Sequence, residues 1–326
     1  AQGGLYLPLV AEGQRALGRF YDRLAARGRG QVRILHYGDS IIWADNVTVR
    51  IRENLVRLFG NGGRGLLPLA LDSEDYRLLG VRQRFSGDWT IENLITMNPV
   101  TARLGITLRR YTAGPGGWTT WDFPPEEHVR TVRIFTEQAG VPLALTVLDS
   151  GGRRHEFTVT NVGPAGMPIA LPGPAASVTL RVRPGTVLFG AVFERGAGVV
   201  FSPVVRKGIF AEDFCNLERP RFVAQLRAFA PDLVVFQFGK NESGWNKFTA
   251  ARHEKGVRFF IAMVREAAPQ CDILLLGPAG RMYRDGGTMR LYSTIKVIRD
   301  VQRRLAGELG LGYYDMFTVL GGAAGM

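Results

Sequence analysis

The residues best suited to chemistry stand at the end of a short apolar run, Val32-Arg33-Ile34-Leu35-His36-Tyr37, which stops at Gly38-Asp39-Ser40. A helical pattern follows, with Val47, Ile51, Leu55 and Leu58 on one face, Asp45 or Asn46 as N-cap and Gly60 as terminator. A strand feeding a helix through Gly-Asp-Ser sets a serine hydroxyl at the carboxyl end of a strand, where ligands bind in open α/β sheets. The neighbouring helix N-terminus supplies N–H groups that favour negative charge. Such a serine has the exposure and the nearby oxyanion donors that a nucleophile needs. Taken alone, the tripeptide reads as an ordinary turn, since all three residues are turn formers.

A second loop with candidate chemistry lies far downstream. Leu233-Val234-Val235-Phe236-Gln237-Phe238 is a nearly continuous apolar run, as a buried parallel strand should be, and it ends at Gly239-Lys240-Asn241-Glu242. The only histidines are His36, His128, His155 and His253. His36 lies inside the strand before Ser40 and is expected to line a wall there. His128 and His155 fall in a β-rich stretch, and His253 falls on a helix after Asn241 where it is expected to face solvent. No metal-ligand spacing and no dinucleotide fingerprint is present, so no cofactor and no metal are expected.

The elements that must position these residues alternate in type. Residues 9–27 read as a helix, followed by the Ser40 strand and a helix over 46–59; the glycine-rich 60–65 reads as a flexible loop. From about 76 to 204 the texture becomes short β-type runs between turn residues. They are 106–108, 131–135, 143–148, 156–159, 178–182 and 187–193, which predict a β-sandwich or jelly roll. Helix–strand alternation then returns, with helices over 220–229, about 245–268 and 289–309, and strands at 273–276 and 310–314. The expected fold is a doubly wound, flavodoxin-like parallel α/β sheet over residues 1–75 and 205–326, with an all-β module inserted at 76–204.

Composition bounds the function. The 326 residues are 46% hydrophobic and 21% charged, which suits a folded chain with room for two domains. The net charge of +12 invites a nucleic-acid or polyanion partner, yet the basic residues are scattered and form no basic arm, so nucleic acid is not expected. No run reaches the length of a membrane span, and Ala1-Gln2-Gly3-Gly4 opens no signal peptide. Cys215 and Cys271 form no C-x-x-C pattern.

With Gly38-Asp39-Ser40 and Gly239-Lys240-Asn241 both ending strands, the sequence resembles the SGNH (GDSL-type) hydrolases over about residues 9–75 and 203–320. His36-Tyr37-Gly38-Asp39-Ser40 with Phe59-Gly60-Asn61-Gly62-Gly63-Arg64-Gly65 is similar to the branch related to peptidoglycan O-acetylesterases, which carries a β-rich, carbohydrate-binding-like insert. The resemblance implies Ser40 as nucleophile. It also implies an oxyanion hole from the Ser40 N–H, the Asn241 amide and a glycine, best matched by Gly208 in Val204–Ala211. Asp39 would brace the turn with Gly38, and Lys240 and Glu242 would be rim residues. Trp118 and Trp121 are candidate glycan contacts of the insert, weighed against the core role that tryptophans usually have.

The family's base and its acid come from an Asp-x-x-His block that this sequence lacks. Asp315 is followed by Met316-Phe317-Thr318, and the ending Gly321–Met326 reads as a truncated chain or one that has lost the block. The expected function is a serine ester hydrolase acting on small O-acyl groups, O-acetyl first, of a polysaccharide such as peptidoglycan, hence periplasmic or secreted. An acyltransferase on the same machinery and a catalytically inactive carbohydrate-binding scaffold are the alternatives.

Overall fold

The structure, a computed structural model, describes residues 15–26, 30–71, 78–94, 102–160 and 162–323. In chain order its elements begin with α1 (Gly18–Ala25), β1 (Gln31–Gly38), α2 (Asn46–Phe59), β2 (Asn61–Gly63) and β3 (Gly65–Leu67). A run of strands follows: β4 (Arg82–Phe85), β5 (Trp89–Asn93), β6 (Arg109–Ala113), β7 (Trp118–Asp122), β8 (Val129–Thr136), β9 (Leu143–Asp149), β10 (Arg154–Val159), β11 (Pro168–Arg181) and β12 (Val187–Glu194). Then come β13 (Gly198–Val205), α3 (Arg219–Phe229), β14 (Leu233–Gln237), α4 (Ala250–Ala267) and β15 (Asp272–Leu276). The chain closes with the hairpin β16 (Met282–Asp285) and β17 (Thr288–Leu291), then α5 (Thr294–Leu309), β18 (Gly312–Tyr314) and α6 (Met316–Val319).

Six parallel strands stand in the order β2-β13-β1-β14-β15-β18. β1 is therefore central, and the chain runs to one side of it with β13 and to the other with β14. Alternation along β1 serves both faces. Val32 and Ile34 pack with Leu17, Phe20 and Leu24 below the sheet, while Leu35 and Tyr37 join the larger core against α3, α4 and α5.

The inserted strands form a second, antiparallel layer system. β11 crosses between its two layers: Pro168–Ala175 pair with β8, and Ser177–Arg181 lie between β9 and β7. A bulge near Ala175 makes the bend, and the apolar side chains of both layers close over one core. The doubly wound parallel sheet with an inserted β-sandwich is thus the observed architecture.

Five local expectations need correction. The glycine-rich 60–65 is no flexible loop: β2 and β3 run through it, and Gly62, Gly63 and Arg64 are buried. Ile106–Leu108 is a turn rather than a strand, with Leu108 at φ +59°, and the strand begins at Arg109. The boundaries of the insert also move. β3 pairs with β12 in the antiparallel system, so the crossing lies near Gly65 rather than at 76; β13, placed in the insert by sequence, is a parallel partner of β1. The helix expected over 289–309 starts at Thr294, because 282–291 folds back as a hairpin. The first helix occupies Gly18–Ala25, and residues 9–14 and 27 lie outside the described residues.

The two parts share one core rather than touching across a wet seam. Tyr37 of β1 sits in the same apolar cluster as Leu104, Ile106, Phe135 and Phe189 of the insert, and its hydroxyl donates to the Ile106 carbonyl at 2.9 Å. The Ile106 N–H donates to Gln225 Oε1 on α3 at 2.9 Å.

Candidate active site

Three loops leave the carboxyl ends of β1, β13 and β14 and meet above the sheet. Gly38 ends β1 where a Cβ would lie 2.6 Å from the end of the Ile42 side chain, so glycine leaves that side chain room to pack under the next turn. Asp39 caps that turn, a 3-10 helix over Ser40–Ile42, by accepting from the Ile41 N–H at 2.9 Å. Ser40 is exposed at its first position, and among the described residues neither its hydroxyl nor its N–H has a hydrogen-bond partner.

The loop after β13 is stitched to this turn, with the Arg206 N–H donating to the Gly38 carbonyl at 2.9 Å. Gly208 follows in a tight turn at φ +83°, exposed. The Asn241 amide on the loop after β14 donates to Asp39 Oδ2 at 3.3 Å and to the Ile209 carbonyl at 3.2 Å. Ser40, the Gly208–Ile209 turn and Asn241 are thereby brought together. Both amide bonds lie at the long end of the N–H···O range. Burial pushes the Asp39 carboxyl up to about 6; the Ile41 N–H and Lys240 pull it down, and Glu242 pushes it further up. Lys207 lies over the Trp43 ring at 5.4 Å, three residues past Ser40.

Glu242 and His253, expected at the rim and in solvent, are both buried, and together they brace the Asn241 loop. Glu242 Oε1 accepts from the Ala211 N–H and from His253 Nδ1, each at 2.8 Å. His253 Nε2 faces the Gln302 amide nitrogen at 3.1 Å, and that nitrogen also donates to the Phe238 carbonyl at 2.8 Å. These partners assign a neutral imidazole with its proton on Nδ1. Gly256 completes the brace, since a Cβ there would lie 2.2 Å from the Ala211 backbone. The backs of Lys240 and Asn241 are held by Arg281, whose Nη1 donates to their carbonyls at 3.1 and 3.0 Å. Sequence carried a signal for His253: it shares the i, i+4, i+7 face of α4 with the buried Val257 and Phe260.

No histidine serves Ser40 among the described residues. His36 is buried beside Phe201 with Nε2 2.7 Å from Gln237 Oε1, and burial lowers its pKa to about 4, so it stays neutral in the core. His155 is paired with Asp149 at 2.8 Å in the β9–β10 hairpin, and His128 ends the 3-10 turn before β8. Asp315 caps α6 by accepting from the Thr318 N–H at 3.0 Å. Trp121, expected as a glycan contact, is instead fully enclosed, its indole N–H donating to the Pro68 carbonyl at 3.1 Å and its ring packed on Phe193, so it presents no face to a glycan. Trp118 is half-buried with the Arg181 guanidinium 5.9 Å from its ring. Among the described residues no cluster of His, Cys, Asp or Glu could hold a metal ion.

A strand-borne serine facing an asparagine loop across the topological switch of a parallel sheet defines the SGNH type of fold. Residues 201–326 match the GDSL-like Lipase/Acylhydrolase family, and this part of the chain is a GDSL-like lipase/acylhydrolase domain. Among solved structures the chain is similar to a peptidoglycan O-acetylesterase, with TM-score 0.76 and 20% identity, over 94% of this chain and 84% of that one. A family two carbohydrate esterase from Clostridium thermocellum in complex with cellohexaose matches 72% of this chain and 87% of its own, at 12% identity and TM-score 0.28. The CBM32 of AlyQ in complex with 4,5-unsaturated mannuronic acid matches 36% of this chain and 95% of its own, at 14% identity and TM-score 0.25. No curated protein sequence matches the chain.

Proposed function

We propose that the chain is a serine ester hydrolase that removes small O-acyl groups, O-acetyl first, from a polysaccharide such as peptidoglycan, outside the cytoplasm. One observation carries this reading: the convergence of exposed Ser40 with the Gly208–Ile209 turn and Asn241 at the carboxyl ends of three adjacent strands. The peptidoglycan O-acetylesterase of like fold supports the substrate class. In the reaction the Ser40 oxygen bonds to the ester carbonyl carbon and its proton passes to a base. The Ser40 N–H, the Asn241 amide and Gly208 then face the tetrahedral oxyanion, where each donor is typically worth ~10²–10³ in rate. Collapse breaks the bond to the sugar oxygen, which takes up a proton, and water hydrolyses the acyl-Ser40.

The hydroxyl of Ser40 lacks a base beside it among the described residues, and that sets the test. Any ester turnover that passes through Ser40 should fall to background in Ser40→Ala. Free imidazole in the buffer should raise the rate of the natural chain and leave the Ser40→Ala rate at background. Equal turnover by the two proteins would sink the proposal. A second reading rests on the same bare hydroxyl: an inactive carbohydrate-binding scaffold, for which neither protein turns over ester and glycan binding survives Ser40→Ala. An acyltransferase would instead pass the acyl group to an added sugar hydroxyl.

A further inference from the structure

The chain has only five lysines, and four of them gather at this end of the molecule. Lys207 precedes Gly208 and Lys240 precedes Asn241, while Lys247 and Lys255 line a cavity of about 340 Å³ with Trp245 and Arg252. The cavity adjoins the three loops: its Trp245 stacks on Phe210 at 5.2 Å, and Phe210 follows the Ile209 whose carbonyl holds Asn241. The carboxylates that line it are already engaged. Glu212 pairs with Arg252 at 2.6 Å, and Asp213 accepts from the Phe210 N–H at 2.6 Å. Lys247 and Lys255, both exposed at its rim, form no ion pair among the described residues, so with Arg252 the lining carries three cations against the two carboxylates Glu212 and Asp213. The excess of positive charge in a concave site favours a ligand of the other sign. The ammonium groups are compact point charges that suit a single carboxylate.

We propose that this cavity is a subsite for a carboxylate borne by the glycan strand whose ester lies on Ser40. The proposal rests on the hydrolase reading for its substrate class, but its test needs no turnover. Calorimetric binding to the Ser40→Ala protein would compare N-acetylglucosaminyl-N-acetylmuramic acid with its lactyl carboxamide. A third probe, the same disaccharide carrying a dipeptide on the lactyl group, separates a sugar-borne from a peptide-borne carboxylate. At least one carboxylate probe should bind about tenfold more tightly than the carboxamide, and Lys247→Gln/Lys255→Gln should abolish that preference without altering carboxamide binding. Equal affinity for all three probes, no binding of any, or a preference that persists in the double variant would overturn the proposal. Absence of ester turnover by the natural chain even with imidazole added, together with an intact carboxylate preference, would count against the hydrolase reading alone.

Discussion

Asp39 is asked to do two things that pull against each other. Its carboxylate must accept from the Ile41 N–H and from Asn241, yet it sits where burial raises its pKa to about 6 from the usual 3.8. A raised carboxyl holds its proton more tightly in the folded chain than in the unfolded one. Its ionisation therefore costs stability as pH climbs from about 4 to about 6, by an amount on the order of 3 kcal/mol, and the cost is constant above that range. Asp39→Asn should lose this component, so urea midpoints measured at pH 4.5 and pH 7 should converge in the variant relative to the natural chain. The same substitution points an amide N–H at the Asn241 amide, so activity should fall even where stability does not. A variant whose midpoints keep the natural pH dependence would show that Asp39 is not the group responsible.

Among the elements, α4 sets the position of the loop that runs from Gly208 to Ala211, because Gly256 lets the helix lie against Ala211. Adding one methyl group in Gly256→Ala brings a carbon within 2.2 Å of backbone on the loop that carries Gly208 and Ile209, where no flexible side chain can yield. The expected result is a loss of about 1–3 kcal/mol in denaturant stability, as for overpacked cores, with a fall in kcat larger than any change in KM. Unchanged stability and kcat would mean that the helix moves freely over the loop.

Legibility in the sequence followed the same division into local and distant causes. The Gly38-Asp39-Ser40 turn and the strands β14 and β15 were readable because their signals are local: turn formers at a strand end, and unbroken apolar runs. β13 was not, since Gly198–Val205 resembles any strand of the insert, and Pro203 argues against a central position. The structure accommodates that proline because β2 pairs with β13 only at Val199 and Val200, leaving Pro203 with β1 as its sole ladder partner. Glu242 and His253 were misplaced for a similar reason. A charged residue is expected at the surface until its partners are known, and theirs come from Ala211 and Gln302, far away in sequence.

For the whole molecule, the shared core is the controlling fact. Tyr37 of the parallel sheet and Ile106, Phe135 and Phe189 of the insert belong to one apolar cluster, and Arg221 on α3 pairs with Glu137 on the insert at 2.7 Å. Domains joined by a polar linker unfold separately, whereas parts that share a core lose it together. Scanning calorimetry should therefore show a single transition for the sheet and the sandwich, and two resolved transitions would contradict the continuity of the core.

The central place of β1 also has a cost on the ribosome. The strand Gln31–Gly38 is made early, but its two ladder partners, Gly198–Val205 and Leu233–Gln237, are made much later. At synthesis speeds of ~5–20 residues per second the first of them trails by roughly ten to thirty seconds. During that interval an apolar strand with both edges open emerges into the cell, which is the kind of segment that recruits chaperones or pairs with a stranger. Pulse-labelled chains stalled before Gly198 should be captured by a holdase and sensitive to protease within β1, and chains released past Gln237 should be protected.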